Sequence, residues 1–173
     1  RVRSSAASDV YKRQVPHDPE GLISLLGGER EVEAKLDSLF ELKRYWHGNE
    51  PCHQVAYLYD AVGRRDKAAR RIRHIMDTEY KNLPGGLSGN DDAGQMSAWF
   101  VFSAMGFYPV CPSEPEYWLG EPLFDKIVIR GEKGRDFTVS RGSEGGPVTL
   151  CGRNLDSCRL PHTAITEGGA LCF

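Results

Sequence analysis

The amino-acid sequence predicts a mainly α-helical chain with a β appendage, and three observations carry that expectation. Apolar residues recur at helical spacing between residues 18 and 105, and the segments so marked are short and punctuated by Gly or Pro. After Pro109 the pattern changes to short β-branched runs between Gly-rich turns, which predicts antiparallel strands. Short consecutive helices with tight connections pack as antiparallel neighbours, so the helical part is expected to form part of a barrel or a stack of helix pairs.

Composition sets the outer limits. The 173 residues, 40% of them apolar, suit a globular core, with or without a small appendage. The formal charge of -2 comes with no sustained basic stripe, so nucleic acid is not an expected partner. Residues 64–73 hold a local Arg cluster on an amphipathic pattern, which reads as a solvated helix face. No apolar run approaches the roughly 20 residues that span a bilayer, so no membrane partner is expected either. Five cysteines, Cys52, Cys111, Cys151, Cys158 and Cys172, lack metal-site spacing. They read as mostly buried thiols, with a pair among the last three left open.

The opening R-V-R-S-S-A-A-S-D-V-Y-K-R-Q has no periodicity and resembles a translated sequencing adapter, so residues 1–14 are set aside as non-native. Residues 15–110 are then the helical part and 111–173 the β region. Asp18-Pro19-Glu20 supplies a cap acceptor, a proline at the first helical position and an acidic first turn, and Gly27-Gly28 closes the first helix. Val32, Leu36, Leu39 and Phe40 predict a second helix over 29–42. Val55, Leu58, Tyr59 and Val62 predict a third over 51–62, and Ala68, Ala69, Ile72, Ile75 and Met76 a fourth over 66–80. The run 93–105 is apolar nearly all round, the pattern of a helix surrounded by other helices. Strands are expected at 126–130, 136–140, 148–151 and 169–173, the last stopping in mid-strand.

Three polar loops on one side of successive helices are dense in ligand-type residues: V-P-H-D, with His17; W-H-G-N-E, with Trp46, Asn49, Glu50 and His53 just beyond; and G-N-D-D, with Asn90, Asp91, Asp92 and then Gln95. Capping chemistry accounts for Asn49 and Glu50 before a helix. Amide and carboxylate oxygens are equally suited to calcium, and an aromatic such as Trp46 can stack on a sugar. In the third loop the spacing of an EF-hand is missing. A cap uses one carboxylate, whereas Asp91 and Asp92 are two, and adjacent carboxylates repel unless a metal, a cation or a shared proton relieves them. His17 and His53 are each ambiguous between structural hydrogen bonding and ligand contact.

The stretches V-P-H-D-P-E-G-L-I, H-G-N-E-P-C-H-Q-V-A-Y-L-Y and G-L-S-G-N-D-D-A-G-Q-M-S-A-W-F-V-F-S-A-M-G-F-Y-P-V resemble the C-terminal blocks of the bacterial α-mannosidases of glycoside hydrolase family 92. The resemblance extends, more weakly, along the strands. It implies an (α/α)6 barrel joined to β structure, and a calcium-dependent, inverting exo-α-mannosidase acting on mannose-containing glycans. Matched residue by residue, it puts the catalytic base on Asp92. Asn49 and Glu50 match the block it associates with calcium and the terminal mannose, and Trp46, His17, His53 and Asn90 beside them are candidate sugar contacts. Asn90 departs from the family, where a carboxylate often stands; an amide cannot act as a base but can orient water or sugar. The family's general acid lies upstream of the V-P-H-D block, where this chain carries only the adapter-like segment. The expectation is therefore a fragment, missing the upstream part of its own chain, that does not turn over substrate alone. Family members commonly act outside the cytoplasm, which implies a periplasmic or secreted address. Two competitors stand beside this reading: a non-catalytic, calcium-dependent carbohydrate-binding module built from the same loops, and a helical-barrel enzyme of different sugar chemistry.

Overall fold

A computed structural model describes residues 13–142, 146–155 and 157–173. The adapter-like segment 1–14 lies outside the described residues except for Arg13 and Gln14. Helix α1 (Pro19–Leu25) starts where its signals stand, with the Asp18 carboxylate accepting from the Gly21 amide at 2.8 Å and Pro19 in the first turn. Helix α2 (Glu29–Glu41) buries Val32, Leu36 and Leu39, a single stripe at 3.6-residue spacing. Helix α4 (Arg65–Glu79) buries Ala68, Ala69, Ile72, Ile75 and Met76, and α5 runs over Gln95–Met105.

The helix expected over 51–62 is a different object. It divides into two 3₁₀ turns, Glu50–Cys52 and Val55–Tyr57, followed by the four-residue α3 (Leu58–Ala61). Every residue from 52 to 60 is buried, so no solvent face exists to set a regular amphipathic helix. Polar anchors hold the tighter winding instead: the His53 ring bonds the His47 carbonyl at 3.1 Å, and Gln54 donates to the Arg13 carbonyl at 3.0 Å. Helix α5 also departs from expectation. Met96, Trp99, Ser103 and Ala104 are buried, yet Val101 is 55% exposed, so within this chain only one side of the apolar helix is covered.

After α5 the chain forms β1 (Phe107–Tyr108), β2 (Glu116–Leu119), β3 (Lys126–Ile129), β4 (Phe137–Ser140), β5 (Thr149–Leu150), β6 (Arg153–Asn154), β7 (Arg159–Pro161), α6 (His162–Glu167) and β8 (Gly169–Cys172). Strands β1, β2 and β7 make a three-stranded antiparallel sheet. The other sheet has the order β3-β4-β8-β5-β6. All its pairings are antiparallel except β4–β8, which is parallel, with Phe137 opposite Gly169 and Ser140 opposite Cys172. The expected purely antiparallel region is thus corrected to a mixed one, because the chain between β4 and β8 is long enough to bring β8 back in the same direction. All five cysteines are free thiols, and only Cys52 and Cys111 are buried.

Two cores result. The helical one gathers Leu36, Tyr57, Ile72 and Trp99 and is capped by Trp118 from β2. The second packs Phe107, Leu119, Phe137, Leu160 and Leu171 between the sheets, and Phe102 of α5 touches both cores. Asp60 in α3 is buried near the seam, with neither carboxylate oxygen hydrogen-bonded. Burial pushes its pKa from 3.8 up to about 8, although the charges of Arg65 and Arg159 pull it down. A carboxyl that keeps its proton when folded but loses it when unfolded stabilises the fold fully below about pH 4, and that contribution fades as pH rises through about 8. Asp60→Asn, which carries no such proton, is expected to flatten the dependence of urea unfolding on pH between 4 and 8. Near pH 7 it should gain about 2–4 kcal/mol.

Candidate active site

Two polar loops meet because neither carries a side chain where they cross. A methyl group on Gly89 would lie 2.6 Å from the Gly48 Cα. One on Gly48 would lie 2.7 Å from the Ser88 carbonyl and 2.8 Å from the Trp46 indole. Backbones approach this closely only through glycine. The contact sets the loop that opens the first 3₁₀ turn against the loop that leads into α5, and Glu50 and Asp92, one from each, line a common cavity.

The two adjacent aspartates do different things. Asp91 satisfies the start of α5: its carboxylate accepts from the Ser97 amide at 2.8 Å and from the Ser97 hydroxyl at 2.9 Å. Asp92 sits at φ 41°, followed by Ala93 at 57° and Gly94 at 88°, a left-handed turn that ordinary residues adopt only under constraint. That turn leaves the exposed Asp92 side chain without a hydrogen bond among the described residues and on the wall of a cavity of about 580 Å³. Glu50, Gln54, Gln95 and Tyr108 share the cavity, with Pro51, Pro109 and Val110 as its apolar walls. The Glu50 Oε1 atom is buried and has no hydrogen-bond partner.

Behind the cavity stands a buried aromatic layer whose proton positions follow from its partners. Tyr80 donates to the Met96 carbonyl at 2.9 Å, so its oxygen accepts from His47 Nε2 at 2.7 Å. His47 Nδ1 is then the acceptor for Tyr45, also at 2.7 Å. Burial, with a smaller contribution from neighbouring His53, pushes the His47 pKa down to about 3, which keeps that ring neutral. His53 faces a carbonyl, which only accepts, so His53 Nε2 carries the proton and Nδ1 is bare. Burial lowers the His53 pKa, offset in part by its bond to His47 and by the charge of Glu50. The Trp99 indole, fully buried, donates to the His53 carbonyl at 3.0 Å and ties the layer to α5.

Of the residues singled out in the sequence, the structure brings Asp92 and Glu50 together. Asn49 is half-buried beside them, its amide pointing to the Cys52 sulfur at 3.8 Å. Asn90 and Trp46 are exposed and do not line the cavity; Trp46 is 55% exposed against Gly48. His53 lies behind the wall rather than in it. His17 lines a separate small cavity with Glu116, Trp118 and Arg159. Two wall residues escaped the sequence reading. Gln54 stands four residues after Glu50, a spacing that puts both on one side of a helical turn, and Tyr108 lies past the end of α5, where nothing local marks it.

The sequence profile of the glycosyl hydrolase family 92 catalytic domain matches residues 4–173. An uncharacterized secreted glycosidase of Arthroderma benhamiae is 34% identical over 95% of this chain and 23% of its own length. A family 92 inverting mannosidase from Bacteroides thetaiotaomicron is similar in structure, with a TM-score of 0.85 and 36% identity over 95% of this chain and 26% of that one. A family 92 α-mannosidase from the same organism, solved in complex with mannoimidazole, gives 0.86 and 36% over 96% of this chain and 25% of that one. The chain therefore spans about a quarter of the length of these relatives, and among its described residues no helix is long and apolar enough to cross a membrane. It belongs to glycosyl hydrolase family 92, within the catalytic domain.

Proposed function

We propose that this chain forms the water-activating side of the active site of an inverting, exo-acting α-mannosidase that trims mannose-containing glycans outside the cytoplasm. The observation that carries the proposal is the convergence of Asp92 and Glu50 on one cavity, from loops locked together by Gly48 and Gly89. Asp92, exposed to solvent and with no side-chain hydrogen bond among the described residues, takes a proton from a water on the face of the sugar opposite the leaving group. Its left-handed backbone fixes where the side chain leaves the loop. An inverting enzyme also needs a carboxylic acid roughly 6.5–9.5 Å from the base to protonate the leaving oxygen. That acid is assigned to the larger part of the enzyme, since this chain corresponds to about a quarter of its relatives. The same reading makes α1 to α5 helices of an (α/α)6 barrel, with the missing barrel helices covering the exposed side of α5. The relatives' names support the chemistry and address: one is an inverting mannosidase, one was solved with mannoimidazole, and one is a secreted glycosidase.

Calcium fits the residues present. Glu50 Oε1 is buried without a partner, the kind of hard oxygen donor that a calcium ion takes. Among the described residues no group of three or more His, Cys, Asp or Glu is placed to hold a metal ion, so Glu50 and Asn49 would hold it together with neutral oxygens. When bound, calcium would supply Lewis-acid contact to the sugar hydroxyls.

The test is the anomer released. Proton NMR of an aryl α-mannoside digested by an enzyme of the relatives' length carrying this sequence should show β-mannose first; α-mannose as the first product sinks the inverting mechanism. Stripping with a chelator should remove activity that added calcium restores, and full activity in excess chelator sinks the calcium assignment.

A further inference from the structure

The wall of the cavity beside Asp92 carries a donor and an acceptor whose directions are both fixed from behind. His53 Nε2 gives its proton to the His47 carbonyl at 3.1 Å, which leaves His53 Nδ1 able only to accept. The group 3.3 Å from it on Gln95 must therefore be the amide NH₂, and this settles which way that side chain is turned. The same nitrogen donates to the Tyr108 hydroxyl oxygen at 3.0 Å. Both amide hydrogens are then used, and Gln95 Oε1 makes no hydrogen bond among the described residues. Tyr108, having accepted from Gln95, keeps its own proton to give, and both residues line the cavity that holds Asp92.

We infer that Gln95 Oε1 and the Tyr108 hydroxyl together read one hydroxyl group of the bound sugar, the amide oxygen accepting its proton and the phenol donating to its oxygen. The inference rests on the mannosidase reading above and adds to it two specificity-determining residues, with His53 behind them as a positioning residue. A sugar hydroxyl is at once donor and acceptor, which is the pattern this pair complements. Because the His53 tautomer prevents the amide from turning over, a ligand lacking that hydroxyl leaves a fixed donor and a fixed acceptor unpaired in a largely apolar wall.

The experiment uses an enzyme of the relatives' length with this sequence, assayed on an aryl α-mannoside and on its four monodeoxy analogues. Gln95→Met and Tyr108→Phe preserve size and remove the polar group. Each should lower kcat/KM on the parent mannoside by about 10²-fold or more, while on one deoxy analogue, already slow with the wild type, neither should cost more than a few-fold. His53→Phe, which touches no sugar, should reproduce the same split. Equal losses on all five substrates by folded variants would overturn the inference, because a merely structural role does not distinguish hydroxyls. If a variant melts, Gln95→Glu serves in its place: the glutamate keeps the accepting oxygen but replaces the donating NH₂ with an oxygen that can donate to His53 only when it carries a proton, so the parent mannoside should be favoured increasingly as pH falls, and an unchanged pH profile overturns the assignment. A wild type that hydrolyses no mannoside overturns the enzyme reading first and this inference with it.

Discussion

Asp92→Asn, made in an enzyme of the relatives' length, is expected to lower kcat on an aryl α-mannoside by about 10²–10⁴-fold with KM little changed. The amide fills the same space at the cavity wall, and Asp92 makes no side-chain hydrogen bond among the described residues, so nothing structural depends on its charge. What is lost is the ability to take a proton from water. Azide needs no deprotonation, so adding it should restore turnover and yield a β-mannosyl azide, which separates loss of the base from loss of the site. Asp91→Asn is the matched control. That carboxylate holds the Ser97 amide and hydroxyl, so its neutralisation should cost stability of about 1 kcal/mol and leave the chemical step nearly intact. If both substitutions reduce kcat equally, the division of labour between the two aspartates is wrong. If the wild type binds mannosides and hydrolyses none, the loops belong to a binding module.

Much of the helical half could be read from the chain because its determinants are local. Asp18 and Pro19 sit where a cap and a first turn require them, and the five apolar residues singled out between 66 and 80 are the five that α4 buries. Where burial surrounds the chain, as between 52 and 60, periodicity has no solvent face to report, and apolar spacing predicts a helix where the chain makes two 3₁₀ turns. Strand direction was illegible for a related reason: β8 reaches β4 only after a long excursion through β5, β6 and β7, and no residue within either strand records that it will run parallel. The site shows the same division. Asp92 and Glu50 were visible as unusual local chemistry, whereas Gln95 gains its meaning from a histidine 42 residues earlier and Tyr108 from a hydrogen bond across the end of α5. His53 is ambiguous by residue type between ligand contact and structural hydrogen bonding, and its place among the polar loops does not decide between them. Only the carbonyl it faces shows that it works on Gln95.

The glycine pair makes the strongest demand on geometry, and Gly89→Ala should expose it. The new methyl would fall 2.6 Å from the Gly48 Cα, against backbone that cannot rotate away, so the two loops must part. A displacement near 1 Å at a catalytic group costs on the order of 10²-fold in rate, and here it would move Asp92 relative to Glu50. The loss should therefore appear in kcat and, if Glu50 holds calcium, as a higher calcium concentration for half-maximal activity. Asp92→Asn predicts a different signature: a comparable loss of kcat with unchanged calcium dependence, rescued by azide. Gly48→Ala meets both the Ser88 carbonyl and the Trp46 indole, so it should repeat the effect and also shift the emission of the half-exposed Trp46. Unaltered kcat and calcium dependence in a folded Gly89→Ala enzyme would mean that the two loops adapt independently, and that their meeting does not build the site.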